Sequence, residues 1–378
     1  MAVLSAVLTL LVGPAVPVPA SPALIEALEQ VEVTTSDRGR SGFQLRFAAG
    51  RSGPAELADY PLLTGSDLNV FDRVVVMITF GGGNRQVLMD GVITHRELTP
   101  GTLPGTGMLT ITGEDVSVMM DLEERVAEHP SQDEASIATA LIGRYSRYGL
   151  VADVVRPSSA EAPAASERVP VQRGTDLAYL QQMGRRFGHV FYLVPGPQPA
   201  SSTAYWGPPV RTGTPQPALS VNLGAETNVV RIAFRANGLG PIRVTGQNQD
   251  PRTGAAAEVS SQGSTRTTLA AAPDWQNQNV RTTLFCESGL STSQALARAQ
   301  GAADDSSDSV TVTGTVDTLR YGHLLVARGL AGLRGAGRAH DGLYYVQRVT
   351  HRISVGEYLQ DFVLTRDGSG STVSVVQA

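Results

Sequence analysis

Apolar and polar residues alternate with a period of two over most of this 378-residue chain. That period commits it to strands with one wet and one dry face. Val31 and Val33 alternate, Phe43, Leu45 and Phe47 alternate again, and Val74 to Phe80 is a continuous apolar run of the kind buried on both faces. Gln86 to Thr94 and Met108 to Thr112 read as further strands. Gly81, Gly82, Gly83 and Asn84 supply the positive φ of a tight hairpin. A phosphate loop needs a following Lys and Ser/Thr and then a helix, so the triple glycine reads as a turn. Five or six strands between Leu24 and Leu122 suit a small barrel or curled sheet, with Gly113, Glu114 and Asp115 opening a short helix near its end.

The alternation breaks in the middle of the chain. Ser131 and Glu134 are spaced as a capping box, Ile137, Leu141 and Tyr145 with Ala138 and Ile142 form one helical face, and Gly149 closes it before a strand from Leu150 to Val155. Pro157 to Ser166 is a small, polar linker. A second unit of the same kind follows in Val171 to Val194. There Thr175 and Asp176 cap a helix whose apolar residues are Leu177, Leu180, Met183 and Phe187, Gly188 ends it in a left-handed turn, and His189 to Val194 reads as a strand. Two helix-strand units in tandem predict an α/β insert mounted on the sheet. The expected fold class is therefore α+β and mainly β. Its expected divisions are an N-terminal strand and arm (1–23), a first β domain (24–125), the insert (126–204) and a second β domain (205–378) that can share strands with the first.

Across the boundary between the insert and the last division, Pro195 to Pro209, with Trp206, is expected to be a proline-rich turn. Val230, Ile232 and Phe234 face one way and Arg231 and Arg235 the other, with Asn237, Gly238 and Gly240 turning into Ile242 to Thr245. Gln247 to Asn279 reads as a long surface loop or a partly ordered excursion, and Thr292 to Ala303 as a helix. Strands are expected at Val310 to Val316, His323 to Ala327, Leu343 to Ile353 and Tyr358 to Arg366, with Gly329 to Gly337 a flexible loop.

The first twenty residues are apolar and end in small residues, yet the first arginine is Arg38, so the basic start of a secretory signal is missing. A strand from Ser5 to Val12, then an arm stiffened by Pro14, Pro17, Pro19 and Pro22 that can lie along a neighbouring subunit, is the expectation; a signal peptide is not. The apolar run is also shorter than the roughly 18 residues of a membrane span, so no stable membrane insertion is expected.

Composition narrows the function. The lone Cys286 makes no internal bridge. Gly 40 and Pro 22 amount to 62 of 378 residues, about 16% against about 12% in average usage, which favours many turns. Charged residues are 17%, against about 25% usually, as in a surface largely covered by partners or in a bland, low-charge one. A net charge of −5 with no basic run argues against sequence-specific nucleic-acid binding. All thirty basic residues are arginine, a bias given no functional weight.

No catalytic, cofactor or metal site is expected. His95, His129, His189, His323, His340 and His351 show no metal-ligand spacing. Asp304, Asp305 and Asp308 lack the glycine and glutamate of a calcium loop and read as a solvated turn before a strand. No GxSxG elbow or singled-out carboxylate pair is present.

Three stretches carry a family likeness. Gln172, Arg173, Gly174, Thr175, Asp176, Leu177, Leu180, Arg186, Phe187 and Gly188 form a Q-x-x-(S/T)-D pattern leading to an aromatic-glycine pair. Gly113, Asp115 and Leu122 form a G-x-D pattern. Gly314, Val316, Asp317 and Leu325 precede Gly342, Tyr344, Tyr345, Val346, Val349 and His351. In that order they resemble the baseplate hub proteins of contractile tails, namely the phage late control D family and the N-terminal hub half of type VI secretion spike proteins of the VgrG type.

The resemblance covers about residues 24–367. It implies two tube-protein-like β-barrels joined to the insert, and a homotrimer adapting a three-fold spike below to a six-fold tail tube above. Implied partners are the spike, the tail-tube or tube-initiator proteins and baseplate wedge components. The implied setting is assembly in the bacterial cytoplasm into a virion tail or injection particle. It also implies a structural, non-enzymatic role, with Thr175, Asp176, Leu177, Leu180, Phe187 and Gly188 as a structural motif. Nothing after Arg366 resembles a spike, which makes the spike another polypeptide. The alternative is a secreted β-rich binding or cell-wall hydrolytic protein.

Overall fold

The structure is a computed structural model that describes residues 6–50, 60, 62, 68–103, 106–166, 168–251 and 253–373. The fold class is α+β and mainly β. Thirteen strands join one sheet among the described residues. Its N-terminal lobe orders Leu28–Ser36, Gly42–Ala48, Gly107–Asp115, Gln86–Pro100, Arg73–Phe80 and Ala6–Gly13. These strands enclose a core that includes Leu10, Val33, Leu45, Phe47, Val76, Ile78 and Ile111. The C-terminal lobe orders Val229–Ala236, Val310–Asp317, Glu357–Arg366 and Gly342–Ser354, with Leu330–Arg334 and Gln216–Ser220 branching from the last. Its own core includes Val312, Leu325, Leu333, Tyr344, Val349 and Phe362.

One strand couples the lobes. Gly342–Ser354 pairs with Glu357–Arg366 of its own lobe along one edge, while its other edge pairs first with Leu330–Arg334 and then, from Arg348 to Ser354, antiparallel with Ser36 to Gln30. The hydrogen-bonded ladder therefore runs unbroken from one lobe to the other.

The lobes repeat a local device. Phe43 stands opposite Gly113, and a Cβ on that glycine would lie 2.3 Å from the Phe43 ring; Phe362 stands opposite Gly314, where the distance would be 2.4 Å. Each glycine lets an aromatic ring lie across a strand. In both cases an aspartate then caps a short helix, Asp115 before Val116–Met120 and Asp317 before Thr318–Tyr321. The G-x-D and G-x-V-D patterns are thus two copies of one strand-to-helix corner.

The insert packs the helices Glu134–Gly143 and Asp176–Arg185 on a three-stranded sheet of Val190–Pro195, Ser202–Gly207 and Leu150–Val154. Its core gathers Ile137, Leu141, Leu177, Leu180, Met183 and Trp206 with Val116 and Met120 from the lobe's corner. A fourth unit was not anticipated. Ile242–Gln249, Ala256–Ser260 and Arg281–Leu284 form a small sheet against the helix Thr292–Asp305, around Val244, Val259, Leu290, Ala295 and Ala299.

Several expectations are corrected. The cap of the first insert helix is Asp133, which accepts from the Ser136 N–H at 2.7 Å, while Ser131 sits at φ 55° outside the helix. Residues expected as a turn around Trp206 form the strand Ser202–Gly207, because Trp206 is buried and donates to the Leu180 carbonyl at 3.0 Å. The supposed loop Gly329 to Gly337 contains the strand Leu330–Arg334, whose small and branched residues fit between two neighbours.

Conversely, His323 to Ala327 is not a strand. Its Leu325 and Val326 N–H groups donate, each at 2.7 Å, to the side-chain oxygens of Gln360 and Gln216, which replace a ladder partner. Gln247 to Asn279 is largely structured, since Val259 and Leu269 anchor it. A bulge after Val229 turns Val230 out, so it does not share a face with Ile232. The proline arm doubles back, Val18–Pro19 pairing with Val12 and Leu11, instead of continuing as an extended path. Ser5, expected to begin the first strand, lies outside the described residues.

His351 lies in the strand that couples the lobes, opposite Val33, with Nδ1 2.9 Å from the Tyr358 hydroxyl. Burial lowers its pKa from 6.5 to about 4. The unfolded chain therefore takes up this proton first on acidification. The stability from burying neutral imidazole is full above about pH 6.5 and is lost as pH falls towards 4. Urea unfolding of the native chain and of His351→Gln should show the native chain losing roughly 3 kcal/mol relative to the variant between pH 7 and pH 4. A pH-independent difference between the two would count against the buried neutral form.

Candidate functional site

The Q-x-x-T-D stretch forms a clasp. Gln172, fully buried on the strand Val171–Thr175, donates through Nε2 to Asp176 Oδ1 at 2.6 Å. Thr175 is the helix cap and accepts from the Ala178 N–H at 3.1 Å, as expected. Asp176 is 1% exposed, and its carboxylate also accepts from the Tyr145 hydroxyl at 3.0 Å and from Arg144 at 3.4 Å. Burial, with the Asp176 bond second, pushes the Tyr145 hydroxyl up to about 12. A carboxylate met by three donors fixes geometry.

Each end of the helix reaches another unit. At its start, the Thr175 hydroxyl donates to Asp121 at 2.5 Å; Asp121 pairs with Arg40, which pairs with Glu114 at 2.7 Å. This line reaches the turn between the first two strands of the N-terminal lobe. At its end, Gly188 has φ 65° and meets the helix Thr292–Asp305 at Gly301. A Cβ on Gly301 would lie 2.6 Å from the Arg186 carbonyl oxygen, so the backbones touch only because that side chain is absent. Leu177, Leu180 and Met183 are buried, whereas Phe187 is half-buried at the edge of the same core.

The stretch from Val171 to Val194 thus joins the N-terminal lobe to the fourth unit. The linker Pro157 to Ser166 belongs to this contact as well, since Ser291, the cap of the helix Thr292–Asp305, donates to Glu161 at 2.8 Å.

Two arginines outside the expected motif complete the joints. Arg328 donates to the Ser36 carbonyl at 2.8 and 3.2 Å, to the Ser41 hydroxyl at 3.0 Å and to the Leu193 carbonyl, and its guanidinium stacks 4.1 Å from the Tyr192 ring centre. It thereby touches the N-terminal lobe and the insert from the C-terminal lobe. Burial lowers its pKa from the usual arginine value, with Asp115 opposing as the leading counter-charge. Arg73 pairs with Asp90 through two bonds of 2.7 and 2.8 Å and also donates to the Tyr148 carbonyl at 3.0 Å, fastening the lobe to the insert a second time. Neither arginine had a local sequence signal.

The sheet also presents one polar face across both lobes. Thr34, Thr350, Asp361, Thr315 and Arg231 lie side by side on five strands, and Arg352, Glu32, Gln44, Thr112 and His95 form a second row. The Thr34 and Thr350 hydroxyls are 2.8 Å apart, and Asp361 accepts from Arg352 at 3.2 Å. A depression of about 800 Å³ lies on this face at the coupling of the lobes.

No protein-family model and no curated protein matches the sequence. Among solved structures, the chain is similar to a tail protein from Neisseria meningitidis MC58, with 14% identity, a TM-score of 0.63 and coverage of 97% of this chain and 98% of that one. It is also similar to the 43 kDa tail protein of prophage MuSo2 from Shewanella oneidensis, with 12% identity, a TM-score of 0.60 and coverage of 96% and 97%. An Escherichia coli type VI secretion component, described as similar to bacteriophage T4 tail proteins, aligns over 90% of this chain and 73% of its own at 10% identity and a TM-score of 0.54. The likeness is one of fold, and it extends over nearly the whole chain.

If the clasp holds the units together, Leu180→Ala should lower unfolding stability by roughly 2 to 5 kcal/mol as a buried truncation, and Phe187→Ala by clearly less. Denaturant unfolding of the two variants measures this; an equal or larger loss for Phe187 would place the anchor elsewhere. Arg328→Met should cost about 2 to 4 kcal/mol, because it strands buried acceptors in two units. Limited proteolysis should then cut between lobe and insert before either unit unfolds.

Proposed function

We propose that the protein is the structural, non-enzymatic baseplate hub of a contractile phage tail or a phage-like injection particle. Three copies surround an axis, adapt a three-fold spike to the six-fold tail tube, and pass on the force of contraction. The observation that carries this reading is the single sheet spanning two lobes with one polar face. Two repeated lobes per chain give six similar units in a trimer, which is the count that a six-fold tube demands. Threonine, glutamine and paired charges on the shared face suit a wetted channel wall, since their hydrogen bonds and charges are largely met within the sheet.

The domain division proposed is an N-terminal strand that completes the first lobe, the first lobe itself, an insert reaching Gly207, and a second lobe that carries the fourth unit. Partners are a spike protein, tail-tube or tube-initiator proteins and baseplate wedge components. Assembly takes place in the bacterial cytoplasm. Leu10 and Val12 fill the first core from the strand Ala6–Gly13, which supports a retained N-terminal segment over a cleaved signal. Stiffness fits force transmission, because the lobes share a ladder and the insert is tied by buried arginines at two places.

The native mass of the hub assembled with its spike tests the reading: three copies are expected, and a stable single copy with spike present would overturn it. Zymography on cell-wall material should show no clearing; clearing by the pure chain would favour the hydrolytic alternative instead.

A further inference from the structure

We infer that, besides the joint between its own lobes, the chain carries the two separated halves of a second joint, which another copy of the chain completes. The free edge of Val229–Ala236 in one copy pairs with residues 94–100 of the next, and Phe71 is the anchor beside them. The inference rests on the reading that several copies surround an axis.

The two lobes repeat strand for strand in one direction along the sheet. Leu28–Ser36, Gly42–Ala48, Arg73–Phe80, Gln86–Pro100 and Gly107–Asp115 correspond, in order and pairing, to Val229–Ala236, Val310–Asp317, Leu330–Arg334, Gly342–Ser354 and Glu357–Arg366. Two irregularities fix the register. The bulge between Leu28 and Gln30 matches that between Val229 and Arg231, and the bulge between Ile93 and His95 matches that between Val346 and Arg348. The glycine–aspartate corners fall on different strands of this repeat and do not mark it. A strained residue matches as well. Phe71 donates to the Ile93 carbonyl at 2.9 Å and Ile93 to the Asp72 carbonyl at 3.0 Å, as Arg328 donates to Val346 at 2.6 Å and Val346 to Gly329 at 2.8 Å. Phe71 and Arg328 both have φ 71°. Arg328 uses that conformation to reach across the internal joint, whereas the Phe71 ring is 53% exposed. A strained aromatic left in water is the kind of group that a partner surface covers.

At the internal joint, residues 348–354 pair with 30–36. Their counterparts are 95–101 and 231–237, and among the described residues neither stretch has a strand on that side. The Asn237 N–H donates to the Ser309 carbonyl, so alternation turns the backbone groups of Ile232, Phe234 and Ala236 outward. Carried over, the register sets Leu98 opposite Phe234 and Glu97 opposite Arg235. The first pair corresponds to His351 and Val33, which are buried, yet Leu98 and Phe234 are only half-buried at their free edges. The second corresponds to Thr350 and Thr34, whose hydroxyls meet, and it brings together opposite charges that are both exposed. Pro100, without an N–H, ends the ladder opposite Ile232. The complete joint lies between the two halves, so one chain does not close them on itself. The contact is therefore head-to-tail between copies, a kind that closes into a ring and leaves no bare edge.

The test uses the full chain with Cys286→Ser, which removes its exposed thiol, and follows native mass against concentration. Adding Glu97→Cys and Arg235→Cys together should let mild oxidation link copies covalently. Glu97→Cys with Ala233→Cys, two residues out of register, should link far less. Glu97→Arg should weaken association roughly two- to fivefold, and adding Arg235→Glu should restore it. Phe71→Gly should weaken association at least about tenfold without lowering the thermal midpoint of the single chain. A lower midpoint with unchanged association would overturn the role given to Phe71. Association that proceeds with neither the 97–235 link nor the charge-swap rescue overturns the joint, while the hub reading still stands on the mass with spike. A chain that stays single on its own at every concentration also overturns the joint; the hub reading falls only if it stays single with spike present. If Phe71→Gly does not fold, the cysteine pairs decide.

Discussion

Arg328 is the contact on which the relation between the units depends. Its backbone sits at φ 71°, a conformation that L-residues other than glycine and asparagine adopt at a cost. What offsets that cost is the reach it gives: one side chain meets Ser36 and Ser41 in the first lobe and Leu193 and Tyr192 in the insert. The strand Leu330–Arg334 begins two residues later, so the same segment leaves the joint and enters the second core at once. Position, strain and donor geometry there serve a single end, holding three units in one arrangement.

The strands were legible wherever a single dry face produced alternation, as in Leu28–Ser36, Gly42–Ala48 and Glu357–Arg366. They were illegible where other partners set the backbone. Leu325 and Val326 read as strand by composition, yet two glutamine side chains from distant positions complete their hydrogen bonds. Leu330–Arg334 reads as loop because Gly329, Gly332, Gly335 and Gly337 punctuate it, but it is held as a strand by a parallel neighbour, Gln216–Ser220, and an antiparallel one, Gly342–Ser354. Trp206 was lost among prolines although its ring forms part of the insert core. In each case the deciding partner lies far along the chain, beyond the reach of periodicity.

The candidate site divides in the same way. Thr175, Asp176, Leu177, Leu180 and Gly188 were readable because capping, helical spacing and a left-handed turn act within a few residues. The reason for Gln172 became visible only when its amide was found on Asp176, and the partner of Gly188 only when Gly301 was found against it. Arg211 and Arg266 carried no signal at all, since what marks them is burial beside Asp308 and the Gly188 carbonyl, partners far along the chain. The aspartates at 304, 305 and 308 read as a solvated turn, yet Asp304 is buried and hydrogen-bonded, Asp308 is half-buried in an ion pair with Arg211 and Asp305 ends a helix.

The lack of lysine, set aside as a bias of composition, acquires a physical meaning at these joints. Arg73 binds a carboxylate by two bonds and a carbonyl by a third; Arg328 serves three residues and an aromatic ring; Arg366, fully buried, donates to the carbonyls of Gly368, Asp341 and Ala339 while lying 4.3 Å from the Tyr344 ring centre. A planar fork with five donors can satisfy such scattered acceptors at fixed angles, whereas an ammonium is a strongly hydrated point charge that stacks poorly and costs more to bury. Whatever produced the bias, the units of this chain are riveted by groups that only arginine supplies.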